Sequence, residues 1–178
     1  QQEATAGDAA AAGKTPAATA DGVDWSGVAE KGSPSVVAIS VQSATSGGSG
    51  SGVILDEQGH VVTNHHVVDG AQNITVTLGD NRAYPAEVVG TDAETDLAVL
   101  KLKDAPKDLK PITVGDDTGL RVGDPVMAVG NPLGLSGTVT TGIVSALDRP
   151  VRAGDTETQV VTNAVQTSAA INPGNSGG

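Results

Sequence analysis

The stretch that decides the fold is "INPGNSGG", residues 171–178, in which glycine, proline and asparagine surround one serine. Glycine beside a serine lets the backbone adopt conformations that other residues avoid. A nucleophile needs this freedom, because its hydroxyl must project from a tight turn while neighbouring N–H groups converge to stabilise an oxyanion. Here those N–H groups would be the ones of Gly174 and Ser176. A glycine-rich hairpin loop fits the stretch equally well, so the rest of the chain must decide.

The chain from Pro34 onward consists mainly of predicted strands. Short runs rich in β-branched residues are separated by glycine, proline and aspartate turns, as is typical of an all-β sandwich or barrel. A polar connection near residues 103–111 predicts two β subdomains, about 34–105 and about 111–178. The predicted strands are SVVAISVQ, GVILD, HVVTN, NITVTL, AYPAEVVG, LAVLKL, DPVMAVG, TVTTGIVSAL and TQVVTNA.

Two glycine- or alanine-rich stretches have no predicted regular structure. Residues 1–24 lack apolar periodicity and are expected to form a disordered linker. A short helix is predicted over 25–31, with Asp24 or Ser26 as its N-cap and Gly32 as its end. The stretch SGGSGSG, residues 46–52, lacks the lysine and the following helix of a phosphate-binding loop, and is interpreted as a flexible loop that enters a strand.

The composition excludes several classes of function. Aromatic residues make up only 1% of the chain, so the core must be aliphatic. The net charge is −11, and the few lysines and arginines are too dispersed for a nucleic-acid-binding face. The chain has no cysteine, which rules out disulfides, thiol catalysis and cysteine metal sites. We therefore expect no nucleic-acid partner.

The three histidines are His60, His65 and His66, and they lack the HExxH spacing of a zinc protease, so no metal site is predicted. His60 lies at a predicted turn and is expected to be solvated. His66 lies where an apolar strand gives way to polar residues and then to two valines. A lone histidine in such a place is more often structural than catalytic, so its partners must decide.

Asp96 comes directly before the apolar run LAVLKL, although the nearby Asp92 and Glu94 are equally polar. A serine becomes a nucleophile when a histidine takes its proton, and that histidine needs a carboxylate to fix its tautomer. Along this chain the order is His66, Asp96, Ser176. That order is found in proteases with two β-barrels, and not in α/β-hydrolases or subtilisins.

Five ordered motifs resemble the HtrA/Deg branch of the trypsin-like serine proteases. They are TNHHVV, TDLAVLKL, GNPLGL, TVTTGIVSAL and INPGNSGG, and the likeness extends from about residue 36 to residue 178. The resemblance implies a trypsin-like domain over 25–178, with two β-barrels and the active site between them. It implies that His66 is the general base, Asp96 the orienting carboxylate and Ser176 the nucleophile. The family places the base immediately before two valines, which favours His66 over His65.

The resemblance also implies a biological setting. It predicts an endopeptidase that degrades unfolded or damaged proteins, needs no cofactor and works as a homo-oligomer, a trimer. It predicts an extracytoplasmic protein, secreted or anchored through a segment that precedes Gln1. Further strands and one or more PDZ domains are expected after Gly178, so the second barrel is expected to be incomplete in this chain and the chain alone inactive.

Three positions refine this prediction. The motif QTSAAIN carries Ser168 where the family usually has aspartate, and we expect an effect on the pocket or a supporting loop. Ala170 lies six places before Ser176, at the base of the substrate pocket in trypsin-like enzymes, and predicts cleavage after valine, isoleucine or alanine. Asn175 replaces a carboxylate that pairs with a newly cut N-terminus in digestive relatives. Control by loop rearrangement and oligomer contacts is therefore expected.

Two other interpretations remain open from the sequence. The chain could keep the protease fold and bind peptides without cutting them. It could also be a secreted β-rich binding module in which Ser176 is an ordinary loop residue. A fluorophosphonate probe separates these cases, because only an activated serine reacts with it.

Overall fold

The structure, a computed structural model, describes residues 22–132, 137–153 and 160–178. Strands dominate, so the predicted all-β class is confirmed. The elements are α1 Trp25–Gly32, a 3₁₀ turn Ser33–Ser35, β1 Val36–Gln42, β2 Gly47–Ile54, β3 His60–Thr63, α2 His65–Val68, β4 Asn73–Thr77, β5 Ala83–Asp92, β6 Leu97–Leu102, β7 Pro125–Gly130, β8 Thr138–Ala153 and β9 Val160–Thr167.

The helix predicted before the first strand is present as α1. Of the two candidate N-caps, the structure selects Asp24, whose carboxylate accepts a hydrogen bond from the backbone N–H of Gly27 at 3.0 Å. The expected disordered linker falls mostly on residues 1–21, which lie outside the described residues. Among the described residues, no helix is both long and apolar enough to cross a membrane.

Six antiparallel strands form a closed barrel in the order β1-β2-β3-β6-β5-β4, and β4 pairs with β1 to close it. The interior is aliphatic, as the near absence of aromatic residues requires. Its fully buried members are valines, leucines and isoleucines contributed by alternate positions of the strands. They include Val37, Ile39, Ile54, Val61, Val76 and Leu100.

The glycine-rich stretch SGGSGSG is not a flexible loop, and that prediction was wrong. Residues 47–52 form most of β2, which pairs with β1 from Gly47 to Val53. The small residues are needed because large core side chains lie directly against the strand. A Cβ atom on Gly52 would lie 2.7 Å from Val61 Cγ1 and 2.8 Å from Ile39 Cδ1, which is closer than real contacts allow. Packing inside the barrel therefore overrides the low strand propensity of glycine.

The remaining strands, β7, β8 and β9, form an antiparallel sheet separate from the barrel. β8 is long and irregular, and its register with β9 shifts twice, between Val144 and Ala146 and between Ala146 and Arg149. Such shifts bend a strand and increase its twist. The polar connection after β6 is fastened to the barrel, because the N–H of Ile112 donates to the carbonyl of Ile54 at 2.9 Å. The result is one closed barrel and a second, partial sheet.

Candidate active site

The structure brings His66 and Asp96 together, although they are 30 residues apart in the chain. His66 Nδ1 lies 2.8 Å from Asp96 Oδ2, and the backbone N–H of His66 donates to Asp96 Oδ1 at 2.9 Å. Both carboxylate oxygens are therefore directed at one residue. The side chain of Asp96 is 22% exposed and that of His66 is 58% exposed, so much of the imidazole ring is open to solvent.

The barrel topology explains this proximity. β3 and β6 are antiparallel neighbours, with Thr63 opposite Ala98. The end of β3 and the beginning of β6 therefore meet at the same end of the barrel. His66 lies in the short helical turn α2 just after β3, and Asp96 immediately precedes β6. The register of two buried strands thus fixes the distance between the two side chains.

Asp96 has a left-handed backbone conformation, with φ of 55°, which is uncommon for a residue other than glycine. Two hydrogen bonds hold it there. Its carbonyl accepts from the side-chain amide of Asn64 at 2.9 Å and from the backbone N–H of His65 at 3.1 Å. Backbone strain persists only where the surroundings fix it, and it is frequent at functional sites. Here it directs the carboxylate towards His66.

Asp92 and Glu94, which position in the sequence could not separate from Asp96, have a different role. Asp92 is exposed and closes a local turn, accepting from the Thr95 hydroxyl at 2.8 Å and from the N–H of Glu94 at 2.9 Å. The Thr95 hydroxyl and the Glu94 N–H hold the pKa of Asp92 below its ordinary value. The side-chain contacts therefore select Asp96 as the partner of His66.

Ser176 lies in the second of two consecutive turns. The N–H of Asn175 donates to the Asn172 carbonyl at 3.0 Å, and the N–H of Gly178 donates to the Asn175 carbonyl at 2.9 Å. The third residue of each turn is a glycine with positive φ, 89° at Gly174 and 90° at Gly177, as a type II turn requires. Within the described residues, the N–H groups of Gly174 and Ser176 donate to no protein acceptor.

The turn that carries Ser176 is docked against the barrel near His66. The N–H of Ser51 donates to the carbonyl of Ser176 at 2.7 Å. Gly50 lies close both to Val67, the residue after His66, and to the turn, because a Cβ atom there would be 2.8 Å from Val67 Cγ1 and 3.1 Å from the Ser176 carbonyl oxygen. Among the hydrogen bonds of the described residues, none joins the Ser176 hydroxyl to the His66 ring. Such contacts are often long before substrate binds.

The remaining predicted positions lie on the segment between β9 and the Ser176 turn. Ala170 is exposed, and its carbonyl accepts from the Thr140 hydroxyl at 2.7 Å. Ser168 has a structural role, because its hydroxyl accepts from the N–H of Ile143 at 3.0 Å while its own N–H donates to the Ile143 carbonyl. Asn175 is buried, and neither polar atom of its side chain has a partner among the described residues. In the described parts of the chain, no three potential ligands cluster around a metal site.

Sequence reasoning missed the residues that support the site. Asn64 holds the carbonyl of Asp96, and Ser51 contacts the turn of Ser176. Ser51 was hidden in a stretch interpreted as a flexible loop. Its position between two glycines gave no usable signal, because Ser49 also lies between two glycines on the same strand and is exposed.

Residues 50–178 match the family described as "Trypsin-like peptidase domain". The chain therefore belongs to the trypsin-like peptidases, the class that the barrel and the His–Asp pair already indicated. Its relatives place it in the HtrA/Deg branch of that class. "Serine protease PepD" of Mycobacterium tuberculosis is 46% identical over 183 residues, which cover 96% of this chain and 39% of the relative.

Two further proteins support the same branch. "Periplasmic serine endoprotease DegP" of Salmonella typhimurium is 51% identical over 130 residues, covering 72% of this chain and 26% of the relative. The solved structure "HtrA-type protease AlgW with tripeptide" has a TM-score of 0.75 and 41% identity, covering 85% of this chain and 48% of the other. The chain thus spans less than half of the length of each of these proteins.

Proposed function

We propose that the protein is a serine endopeptidase in which Ser176 is the nucleophile, His66 the general base and Asp96 the residue that orients His66. The observation that carries the proposal is the pair of contacts between the Asp96 carboxylate and His66. One carboxylate oxygen accepts the backbone N–H of His66, and the other lies within hydrogen-bond distance of its Nδ1. A histidine held in this way presents Nε2 as a base, because its Nδ1 proton is directed to the carboxylate.

The reaction then follows the residues. Ser176 Oγ forms a bond to the scissile carbonyl carbon while its proton passes to His66 Nε2. The tetrahedral adduct collapses, the C–N bond breaks, and the leaving amine takes the proton from His66. Water then attacks the acyl carbon while His66 takes its proton; the bond from that carbon to Ser176 Oγ breaks, His66 returns the proton to Oγ, and the carboxylic acid product leaves. No cofactor is required.

The oxyanion of the tetrahedral adduct would be bound by the N–H groups of Gly174 and Ser176. Of the five N–H groups from Gly174 to Gly178, those of Asn175 and Gly178 have backbone acceptors, whereas those of Gly174, Ser176 and Gly177 have none among the described residues. Preorganised donors of this kind contribute about 2.7–4 kcal/mol each to the transition state. The N–H groups of Gly174 and Ser176 are therefore available for an oxyanion, which supports the assignment.

The substrates that we propose are unfolded or damaged proteins, cut outside the cytoplasm by a homo-oligomer, a trimer. Support comes from the relatives, of which one is described as a periplasmic serine endoprotease and another was solved with a tripeptide. We further propose that the active site lies between two β subdomains, at about 34–105 and about 111–178. The Ser176 carbonyl accepts a hydrogen bond from the N–H of Ser51 on the barrel strand β2.

Hydrolysis of labelled β-casein by the complete protein tests the proposal. Ser176→Ala is expected to abolish turnover, leaving at most a residual of roughly 10³–10⁴ over water, because the nucleophile is lost. The matched control is Ser40→Ala, which removes an exposed hydroxyl on β1 and should leave the rate unchanged. Near-normal turnover by the Ser176→Ala variant would rule the assignment out.

Ala170 makes the specificity testable with the same digest. Since no carboxylate is available there to pair with a basic side chain, we expect most cuts after valine, isoleucine or alanine. Mass spectrometry of the casein peptides gives the residue that precedes each cut. A majority of cuts after lysine or arginine would contradict the assignment of Ala170 to the pocket, without affecting the triad.

A second candidate function is peptide binding without catalysis. The observation that favours it is the lack, within the described residues, of a hydrogen bond between the Ser176 hydroxyl and the His66 ring. The casein assay separates the two functions. A protein that binds casein and yields no peptides in the wild-type form would support the binding function.

A further inference from the structure

Ser51 is a polar residue in the wall of the barrel, fully buried on β2. The ladder between β2 and β3 covers only Val53 opposite Val62 and Ile54 opposite Val61, so it ends before Ser51. Side-chain and turn contacts replace it. The Ser51 carbonyl accepts from the Thr63 hydroxyl at 2.8 Å, and its N–H donates to the Ser176 carbonyl at 2.7 Å.

The hydroxyl of Ser51 joins three segments. It donates to the carbonyl of Gly174 at 2.8 Å and accepts from the backbone N–H of Asn131 at 2.8 Å. Asn131 directly follows β7 and is itself buried. One hydroxyl therefore connects the closed barrel, the end of the first strand of the second sheet, and the turn of Ser176. A serine can do this because its oxygen both donates and accepts.

These contacts fix alternate peptide units of the turn. The unit between Gly174 and Asn175 is held at its carbonyl by the Ser51 hydroxyl and at its N–H by the Asn172 carbonyl. The unit after Ser176 is held at its carbonyl by the Ser51 N–H. The N–H group of Ser176 belongs to the peptide unit between these two. The N–H group of Gly174 belongs to the peptide unit that precedes them. Each of these two N–H groups therefore belongs to a peptide unit adjacent to one that Ser51 holds.

We propose that Ser51 is a positioning residue for the Ser176 turn. The Ser51 hydroxyl sets the direction of the two backbone N–H groups, those of Gly174 and Ser176, that bind the oxyanion. The inference rests on the proposed function, because it assigns a task to those N–H groups. Ser51 contacts neither substrate nor reacting atoms in this scheme. It acts through the Gly174 carbonyl and through the backbone of Ser176.

The steady-state test compares Ser51→Ala with Ser51→Thr, which keeps the hydroxyl. The matched control is Ser35→Ala, because Ser35 is also buried and its hydroxyl makes no hydrogen bond to the Ser176 turn among the described residues. We expect Ser51→Ala to lower kcat for casein by about 10- to 100-fold at unchanged KM, less than the roughly 10²–10³ lost with an oxyanion donor itself. Ser51→Thr should recover most of the rate, and Ser35→Ala should keep it.

An amide ¹H–¹⁵N NMR readout tests the same proposal without turnover. In the Ser51→Ala variant the resonances of Asn131, Gly174 and Ser176 are expected to shift, and hydrogen exchange of the Asn131 amide to accelerate because it loses its acceptor, whereas Ser35→Ala leaves them in place. Unchanged resonances, or an equal loss of kcat in the Ser35→Ala variant, would overturn the proposal. If the wild-type protein does not cut casein, the proposed function fails, and the resonances still decide the role of Ser51.

Discussion

Two His–Asp pairs lie near opposite ends of strand β3. At the beginning of the strand, His60 Nδ1 lies 2.5 Å from Asp56 Oδ2. Beyond its end, His66 Nδ1 lies 2.8 Å from Asp96 Oδ2. The two contacts are alike in geometry, and both aspartates also accept a backbone N–H from their own histidine. A His–Asp pair alone therefore does not define an active site.

The pairs differ in what brings them together. Asp56 and His60 are four residues apart in one hairpin turn, where Asp56 also accepts the N–H of Gln58. This pair forms through local turn geometry, and the expectation that His60 is simply solvated was incomplete. His66 and Asp96 meet only because β3 and β6 are neighbours in the folded barrel. A long-range pair of this kind is specified by the whole fold.

The pairs also differ in what lies beside them. Thr63, at the His66 end of β3, donates to the carbonyl of Ser51, and Ser51 in turn contacts the turn of Ser176. A Cβ atom on Gly177 would collide with Thr63 and Ser51, so this turn lies directly against that end of the strand. The loop at the His60 end instead receives Lys101, whose ammonium donates to the Gln58 carbonyl. Proximity to a serine in a tight turn therefore separates the two pairs.

The largest difference is expected when each histidine is removed. His66→Ala should lower kcat for casein by roughly 10⁶-fold, because the proposed base is lost. His60→Ala should keep kcat within about 3-fold, since surface changes away from the site have small effects. Both variants are measured at matched concentration with thermal melts as folding controls. Comparable losses in the two variants would remove the distinction between the pairs.

The aspartates give the next largest contrast. Asp96→Asn should lower kcat by about 10⁴-fold, because an amide in place of the carboxylate permits the wrong histidine tautomer. Asp56→Asn should leave kcat unchanged, since an amide oxygen can still accept the N–H groups of the turn. Rates from pH 6 to 9 provide the comparison. An Asp96→Asn enzyme with wild-type kcat would show that the pairing at His66 is only structural.

The smallest effect concerns stability at the His60 end. Burial raises the pKa of Asp56. The backbone N–H of His60 and then its side chain outweigh this effect, and they hold the pKa of Asp56 below its ordinary value of 3.8. A carboxyl with a lowered pKa stabilises the fold above its unfolded-state pKa, and loses that contribution as the pH falls through the folded-state pKa. Urea unfolding of wild type and Asp56→Asn should therefore differ slightly above about pH 5 and converge below the folded-state value. A gap that widens in acid would contradict this sign.

Sequence periodicity predicted the barrel strands well, because alternating aliphatic residues face a closed core. It failed at β2, where glycine has low strand propensity and only the packing of Val61 and Ile39 explains the strand. The protease family and the all-β class were both confirmed. Asp24 and Ser26 remained equal as caps until the contact with Gly27 selected one.

The sequence allowed the catalytic residue types of the site to be predicted, but not the residues that hold them in place. Histidine, aspartate and serine residues in a given order carry a recognisable pattern, and the structure brings His66 and Asp96 into contact. Asn64 and Ser51 act through backbone carbonyls 32 and 123 residues away in the chain, and no spacing rule reports such contacts. The roles of His66, Asp96 and Ser176 in catalysis stay predictions until variants are measured.

Covalent labelling with a fluorophosphonate probe, mapped by peptide mass spectrometry, tests the central assignment most directly. The complete wild-type protein should carry the label on Ser176, and His60→Ala should be labelled at the same rate. His66→Ala should lose labelling, because the hydroxyl is then no longer activated. A label on another serine, or equal labelling of Ser176 in the His66→Ala and His60→Ala variants, would contradict the assignment.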